Sequence, residues 1–461
     1  MGPLIPHSWQ EKSIQHLLQV IPREGAAVDG SDTGTGKTLV AVETVKRLGN
    51  PPTLVICPKV VIPAWQRTAA AQGIDLDVLN IEKLRAGNTP YGGWYPRDSR
   101  HPTEWFGWNP GIKFLVIDEA HRCKASGNKR VNGVIQPPRN AELMRAARRQ
   151  RIPALAMSAT LADTPLEMDA LGYLLRLHDS DSKPTLRNPH PTHFLDWARD
   201  YGVRMTSTGP EFIGGPVEMA RIHAQLYPHK GVRVRIKDLG DLFPETQITA
   251  ELCEIDNPEK VDAIYAEMAE ALAELKKRTD RYFTDEFAMA ERQKVELLKV
   301  PAFVDLAQDA IAQRMSVAIF VNFRLTLQEI CRRLGTDCFI DGSQIGPQGS
   351  LQREANRLAF QSDRSRIIVC IAEAGGLGLD LHDITGRHPR LALISPGYNA
   401  KTLKQVLGRV WRAGGLSKSL QRLIFARGTI EETVHAAVSR KCNNLDALQD
   451  GDLEPRNFQL S

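Results

Sequence analysis

No stretch of this sequence is apolar for long enough to cross a bilayer. Its hydrophobic runs stop at strand length, well short of the ~20 residues that a membrane helix needs. The opening segment, MGPLIPHSWQEK, lacks the basic start and apolar centre of a secretory leader, so an intracellular, cytoplasmic protein is expected. Cysteine is sparse: Cys57, Cys123, Cys253, Cys331, Cys338, Cys370 and Cys442 are odd in number and include no CxxC pair. That argues against a zinc site or a disulfide framework and favours reduced core thiols. Internal repeats and low-complexity tracts are missing, and so is a strong charge imbalance. A net charge of +5 on 59 basic residues permits a polyanionic partner without requiring one. The 461 residues, 42% hydrophobic and 25% charged, have an ordinary globular composition and are too many for one core.

What is present is alternation. Short apolar runs (GAAVDG, TLVICP, IKFLVID, RIPALAMSAT, then VAIFV, RIIVCIA, LALISP, LIFARG) are separated by helical patterns such as GKTLVAVETVKRLG. This predicts an α/β fold with parallel sheets covered by helices on both faces. The runs form two clusters, and the stretch between them (about 256–300) is helical in pattern and highly charged. The expected layout is a first lobe over 1–247, a strand with a charged helical protrusion over 248–300, and a second lobe over 301–461.

Three segments carry chemistry. DGSDTGTGKT, Asp29 to Thr38, lies between a short strand and a good helix, where backbone N–H groups and a helix N-terminus converge on an anion. Thr33, Gly34, Thr35 and Gly36 form the loop, Lys37 would reach the β- and γ-phosphates of ATP, and Thr38 would offer its hydroxyl to Mg²⁺. Ser31 stands where the strict GxxxxGK[ST] pattern has glycine. The second segment, FLVIDEAHRCK, is a strand that ends in two adjacent carboxylates, an expensive arrangement unless a cation or a reaction uses them. Asp118 suits the Mg²⁺ site and Glu119 suits the base that positions the attacking water. The third, QVLGRVWRAGG, reads as a helix with Leu403, Val406, Leu407 and Val410 on one face and Gln405, Arg409 and Arg412 on the other. Such a basic face is ordinarily solvated.

TGTGKT, DEAH, SAT (158–160), AEAGGLGLD (372–380) and QVLGRVWRAGG follow one another as in superfamily 2 helicase-like ATPases, which this chain resembles. DEAHRCK, VICPKVVIPAW, VLNIEKL, RVRIKDLGDLFPE and GTIEETV are similar to segments of the SWI/SNF-type branch, the double-stranded-DNA translocases related to chromatin remodellers. Departures from that branch include SDTGTGKT in place of DEMGLGKT, Leu161 after SAT, and Asp380 where asparagine is usual. The resemblance implies two RecA-like lobes that clamp ATP, with Arg409 and Arg412 as arginine fingers. It also implies that Gln10 reads adenine, and that Asp380 belongs to the nucleotide site. His121, Ser158, Thr160, Gly376, Gly378 and Gln405 would couple nucleotide state to the nucleic-acid face.

Nucleic-acid contacts are less legible. RAARRQR (145–151, including Arg148 and Arg149), HKGVRVRIK (229–237) and KKRTDRYF (276–283) are candidates, and each reads equally well as a solvated face. The Gly/Pro-rich segment 85–111 contains Trp94, Trp105 and Trp108 and falls outside the family-like motifs. It reads either as a base-stacking wedge or as a small satellite core. Three functional readings follow: a duplex-DNA translocase acting on duplex or branched DNA, a strand-separating DNA or RNA helicase, and a nucleotide-gated scaffold with little turnover.

Overall fold

The computed structural model describes residues 4–87, 89–96, 104–123, 129–131, 134–136, 138–179, 193–207, 209–239, 246–254, 258–264, 266–267, 292–375, 379–397, 400–412, 414–427, 429 and 431. Two compact units divide near the middle of the chain, one ending at Asp238 and the other beginning at Leu239.

The first unit is built on a six-stranded parallel sheet. Its order in space is Gly231–Val232, Ala26–Asp29, Ala154–Met157, Phe114–Asp118, Thr53–Cys57 and Asp77–Asn80. The inner strands are apolar on both faces because helices cover both, as parallel sheets require. One side packs against the helices Ser8–Glu24, Lys37–Arg47 and Ile62–Ala71 through Leu17, Val42 and Trp65. On the other side Ile56, Leu115, Met144 and Leu171 form a second layer. Register then determines where the chemistry lies. Asp29 and Asp118 both pair with Met157, so the loops after these three strands leave the sheet at one level on its carboxyl edge. Such edges are where open α/β sheets bind ligands.

The second unit repeats the plan. All six of its strands are parallel, in the order Thr246–Cys253, Ser419–Ala426, Arg390–Ile394, Ser316–Val321, Ile367–Ile371 and Phe339–Ile340. Thr246–Cys253, which the sequence reading gives largely to the segment between lobes, is the edge strand of this sheet, held by eight residue pairs to Ser419–Ala426. The core beneath it includes Phe303, Ile319, Ile330, Leu393 and Ile424. Both units are therefore RecA-like lobes, the α/β architecture expected from the alternating pattern. Among the described residues no helix is long and apolar enough to cross a membrane. The six described cysteines are free thiols, five of them buried, as expected for core residues.

Candidate active site

The loop after the first strand turns on two glycines with positive φ, Gly34 at 90° and Gly36 at 84°, a region that side chains disfavour. A Cβ on Gly36 would also run into the amide of Gln10. Beyond this turn the helix begins at Lys37, with Thr38 in its first turn and the unpaired N–H groups of its N-terminus facing the loop. The Lys37 ammonium donates to the carbonyls of Ser31 (2.7 Å) and Asp32 (3.0 Å). Burial pulls its pKa down, and the charges of Asp29, Glu119, Asp118 and Asp32 push it back up. Four carboxylates around one ammonium mark this loop as an electrostatic focus.

Asp118 and Glu119 stand at the end of Phe114–Asp118. The buried indole of Trp65 donates to Asp118 Oδ2 at 2.9 Å, and the Glu119 N–H donates to Asp118 Oδ1 at 2.9 Å. Burial and then the neighbouring Glu119 charge push the Asp118 carboxyl up to about 6, despite the opposing pull of Trp65 and Lys37. Glu119 itself adopts φ 50°, an uncommon conformation for a non-glycine residue and one found at functional sites. His121 Nδ1 lies 3.3 Å from Glu119 Oε2 and 3.0 Å from Ser158 Oγ. Ser158 donates its single hydroxyl proton to the Thr160 carbonyl (3.0 Å) and accepts from the Thr160 N–H (3.1 Å). Ser158 Oγ is thus an acceptor towards His121, and Nδ1 is the protonated ring nitrogen. Glu119, His121, Ser158 and Thr160 form one continuous polar chain between the second and third motifs. The Thr160 hydroxyl at its end is buried without a hydrogen-bond partner among the described residues.

Gln10 is expected at the nucleotide. The structure seats it against the loop instead of leaving it open, with its Nε2 donating to the Thr35 carbonyl at 2.9 Å and its Oε1 accepting from His7 N–H at 2.9 Å. Ser31, the departure from the strict glycine pattern, also serves the loop locally, since its hydroxyl accepts from the Val234 N–H at 3.0 Å.

In the second unit the helix carrying the arginines ends earlier than its pattern predicts, at Leu407 instead of continuing past Arg412. Gly408 is a poor helix former, and the Arg409 N–H turns to the Val406 carbonyl (2.9 Å) while its Nε takes the Gln405 carbonyl that an α-helical N–H would use. Arg409 and Arg412 are consequently buried, at 2% and 8% exposure, instead of lying on a solvated helix face. Arg409 donates to the carbonyls of Gln405 (2.8 Å) and Leu379 (3.2 Å), while Arg412 pairs with Asp380 at 3.1 Å. Burial alone would raise the Asp380 carboxyl, but the Arg412 and Arg409 charges outweigh it and hold the group below its ordinary range. The structure thus gathers Asp380, Gln405, Arg409 and Arg412 around one turn. Gly376 and Gly378 lie outside the described residues.

The candidate nucleic-acid contacts fare differently. Arg148 donates to the Tyr173 and His178 carbonyls and pairs with Asp179 at 2.7 Å; Arg149 pairs with Glu142. In 229–237, Lys230 pairs with Glu24, Arg233 with Asp32 and Arg235 with Asp238. Each of these cations already has a carboxylate partner within the fold. Segment 276–283 lies outside the described residues. In the aromatic segment, Gly92–Tyr95 and Trp105–Trp108 form an antiparallel hairpin. Phe106 and Trp108 are buried, and the Trp108 indole donates to the Leu143 carbonyl at 3.3 Å. Trp94 donates to the Leu84 carbonyl at 3.0 Å and sits under the Arg139 guanidinium. Trp94 and Trp108 are engaged within the fold, the packing that a satellite core would have. Trp105 lies on the other face, stacked on Tyr95 with centroids 4.7 Å apart. Trp108→Ala is expected to cost about 3–5 kcal/mol of stability, read as a lower melting temperature, whereas Trp105→Ala should leave melting nearly unchanged.

Sequence reasoning missed Asp29, Asp32, Trp65 and Arg233. Asp32 was inside the loop motif and Trp65 inside VVIPAW, but their partners are 201 and 53 residues away in the chain and carry no local signal.

The loop, the paired carboxylates and the polar chain have the arrangement that a nucleotide-hydrolysing P-loop enzyme on RecA-like lobes would use. No family model matches the chain. It is 29% identical over 483 residues to a protein of Acanthamoeba polyphaga mimivirus described as "Putative ATP-dependent RNA helicase", covering 98% of this chain and 85% of that protein. Over 149 residues it is 30% identical to the Mus musculus DNA repair and recombination protein RAD54B, covering 32% of this chain and 16% of that one. A solved Sulfolobus solfataricus SWI2/SNF2 ATPase core in complex with dsDNA covers 94% of this chain and 90% of its own, at 16% identity and a TM-score of 0.37. The chain is similar to superfamily 2 helicase-like ATPases and, within them, to the SWI/SNF-type branch.

Proposed function

We propose that this enzyme is a double-stranded-DNA translocase that couples ATP hydrolysis to movement along DNA or to its remodelling. The observation that carries the reading is the polar chain from Glu119 through His121 and Ser158 to Thr160, which joins the hydrolytic carboxylate to the third motif within one lobe. A scaffold with little turnover would have no use for this chain together with Glu119, Arg409 and Arg412. The SWI/SNF-like details of DEAHRCK and VVIPAW favour duplex DNA, and the likeness to RAD54B agrees with them.

In this reading Lys37 binds the β- and γ-phosphates, Glu119 takes the proton of the attacking water, and Gln10 braces the loop beside the base. Thr38 and Asp118 fit Mg²⁺, which commonly takes one or two protein ligands plus phosphate oxygens and water. The fit rests on placement: Thr38 lies in the first turn of the helix after the loop, and Asp118 and Glu119 stand at the end of the strand Phe114–Asp118, level with Asp29 on the same sheet edge. When bound, the ion neutralises charge on the phosphates. Arg409 and Arg412 are proposed as the finger residues for the transferred phosphoryl group.

A strand-separating RNA helicase is the second reading, favoured by the description of the mimivirus relative, which aligns with 98% of this chain. Comparing ATPase stimulation by duplex DNA, single-stranded DNA and RNA separates the two. Duplex DNA is expected to stimulate most, with affinity falling by roughly 0.9 log units per log unit of salt for each phosphate contacted. Stronger stimulation by RNA would replace the translocase reading with the helicase one.

A further inference from the structure

The last strand of the first lobe, Gly231–Val232, runs parallel to the loop's own strand, and the chain beyond it follows the phosphate-binding loop residue by residue. Gly30 N–H donates to the Val232 carbonyl (3.0 Å), Asp32 N–H to the Val234 carbonyl (3.0 Å), and Val234 N–H to Ser31 Oγ (3.0 Å). The Asp32 carboxylate accepts from the Ile236 N–H at 2.9 Å through Oδ2 and pairs with Arg233 at 2.7 Å through Oδ1. Arg233, only 6% exposed, also donates to the Gly30 carbonyl. The backbone of Asp32 is meanwhile the loop's busiest acceptor. Its carbonyl receives Lys37 Nζ (3.0 Å), the Thr35 hydroxyl (2.8 Å) and the Thr35 N–H (3.4 Å).

Arg233 therefore grips the loop at two points, Gly30 and Asp32, on either side of Ser31. The Ser31 and Asp32 carbonyls are the two on which Lys37 rests. A charged, nearly buried fork holding both flanks leaves these carbonyls little freedom. We propose that Arg233 is a positioning residue for ATP binding: through Asp32 and Gly30 it holds the loop open in the shape that accepts the β- and γ-phosphates and hands Lys37 to them. The proposal rests on the reading of this loop as the ATP site. It also gives a use to a basic stretch that the sequence offers equally as a nucleic-acid contact or a solvated face.

The Asp32 side chain is 30% exposed, so removing Arg233 leaves its carboxylate to water and not stranded in the core. The full chain should fold without the pair. The test is equilibrium binding of a fluorescent, non-hydrolysable ATP analogue with Mg²⁺ to the wild type, Arg233→Ala, Arg233→Lys, Asp32→Asn, the Asp32→Asn/Arg233→Ala double variant and Lys37→Ala. Melting curves are recorded alongside, and steady-state ATPase is measured on the wild type and Arg233→Ala. Arg233→Ala and Asp32→Asn should each weaken binding about tenfold, the scale of one charge-assisted hydrogen bond. Arg233→Lys should recover part of the loss, and the double variant should be no worse than Arg233→Ala, because the Arg233–Asp32 contact is already lost there. KM for ATP should rise more than kcat falls. Wild-type affinity in Arg233→Ala, multiplied losses in the double variant, or losses that follow melting temperature alone would each overturn the proposal. If Lys37→Ala loses binding while Arg233→Ala does not, only the positioning role fails. If Lys37→Ala binds normally, the reading of the loop as the ATP site fails with it.

Discussion

Glu119→Gln is expected to bind ATP as tightly as the wild type and to hydrolyse it at least about 10²-fold more slowly, the lower end of what a positioned base contributes. The exchange is isosteric, so the uncommon backbone conformation at φ 50° and the neighbourhood of His121 are kept while the proton acceptor is lost. Lys37→Ala is the complementary case. It removes the ammonium that lies on the Ser31 and Asp32 carbonyls, and binding itself should fail. A binding assay beside single-turnover hydrolysis separates the two losses. Near-normal stimulated turnover in Glu119→Gln would remove this residue from the role of base.

Alanine at Arg409 or Arg412 is expected to lower stimulated kcat by about 10²-fold or more, within the range for finger residues, with ATP affinity changed much less. The burial of these side chains introduces a competing cause. Arg409→Ala removes the nearer donor to the Leu379 carbonyl, which Arg412 reaches only at 3.5 Å, and Arg412→Ala removes the ion pair with Asp380. Losing such a partner costs about 1–3 kcal/mol of stability. Melting curves decide between the two effects. A finger role requires that kcat fall with the second lobe still folded at the assay temperature, and that Arg409→Lys fail to restore turnover because an ammonium lacks the planar fork. If turnover falls only in step with melting, these arginines brace the turn after the helix and do not act on phosphate.

Strand alternation and loop motifs were readable because they are local. A buried parallel strand must be apolar on both faces, and a phosphate loop must have glycines where φ is positive, so both mark the sequence within a few residues. The paired carboxylates of Asp118 and Glu119 were readable for the same reason. The order of strands was not, and it is the order that sets Asp29, Met157 and Asp118 level so that three loops separated in the chain open at one edge.

The sequence by itself therefore determined the two α/β lobes, the glycine-containing loop before Lys37 and the paired carboxylates, since each depends on neighbours only a few positions away. The tertiary structure decided which charges are available. Arg148 and Lys230 look alike in sequence as free cations, and each meets its carboxylate, 31 and 206 residues away in the chain, only once distant segments pack. The arginine helix ends at Leu407, where the Arg409 side chain takes the Gln405 carbonyl that an α-helical N–H would use. Trp108 of the hairpin went to a core instead of a surface, because burying Phe106 and Trp108 against the helix Arg139–Arg149 removes apolar area from water, the dominant favourable term in folding. Arg233 came to the loop because a strand two hundred residues away in sequence is its neighbour in the sheet. Hydrogen-bond register and burial act between segments that meet only after folding, and composition and periodicity carry no record of which segments those are.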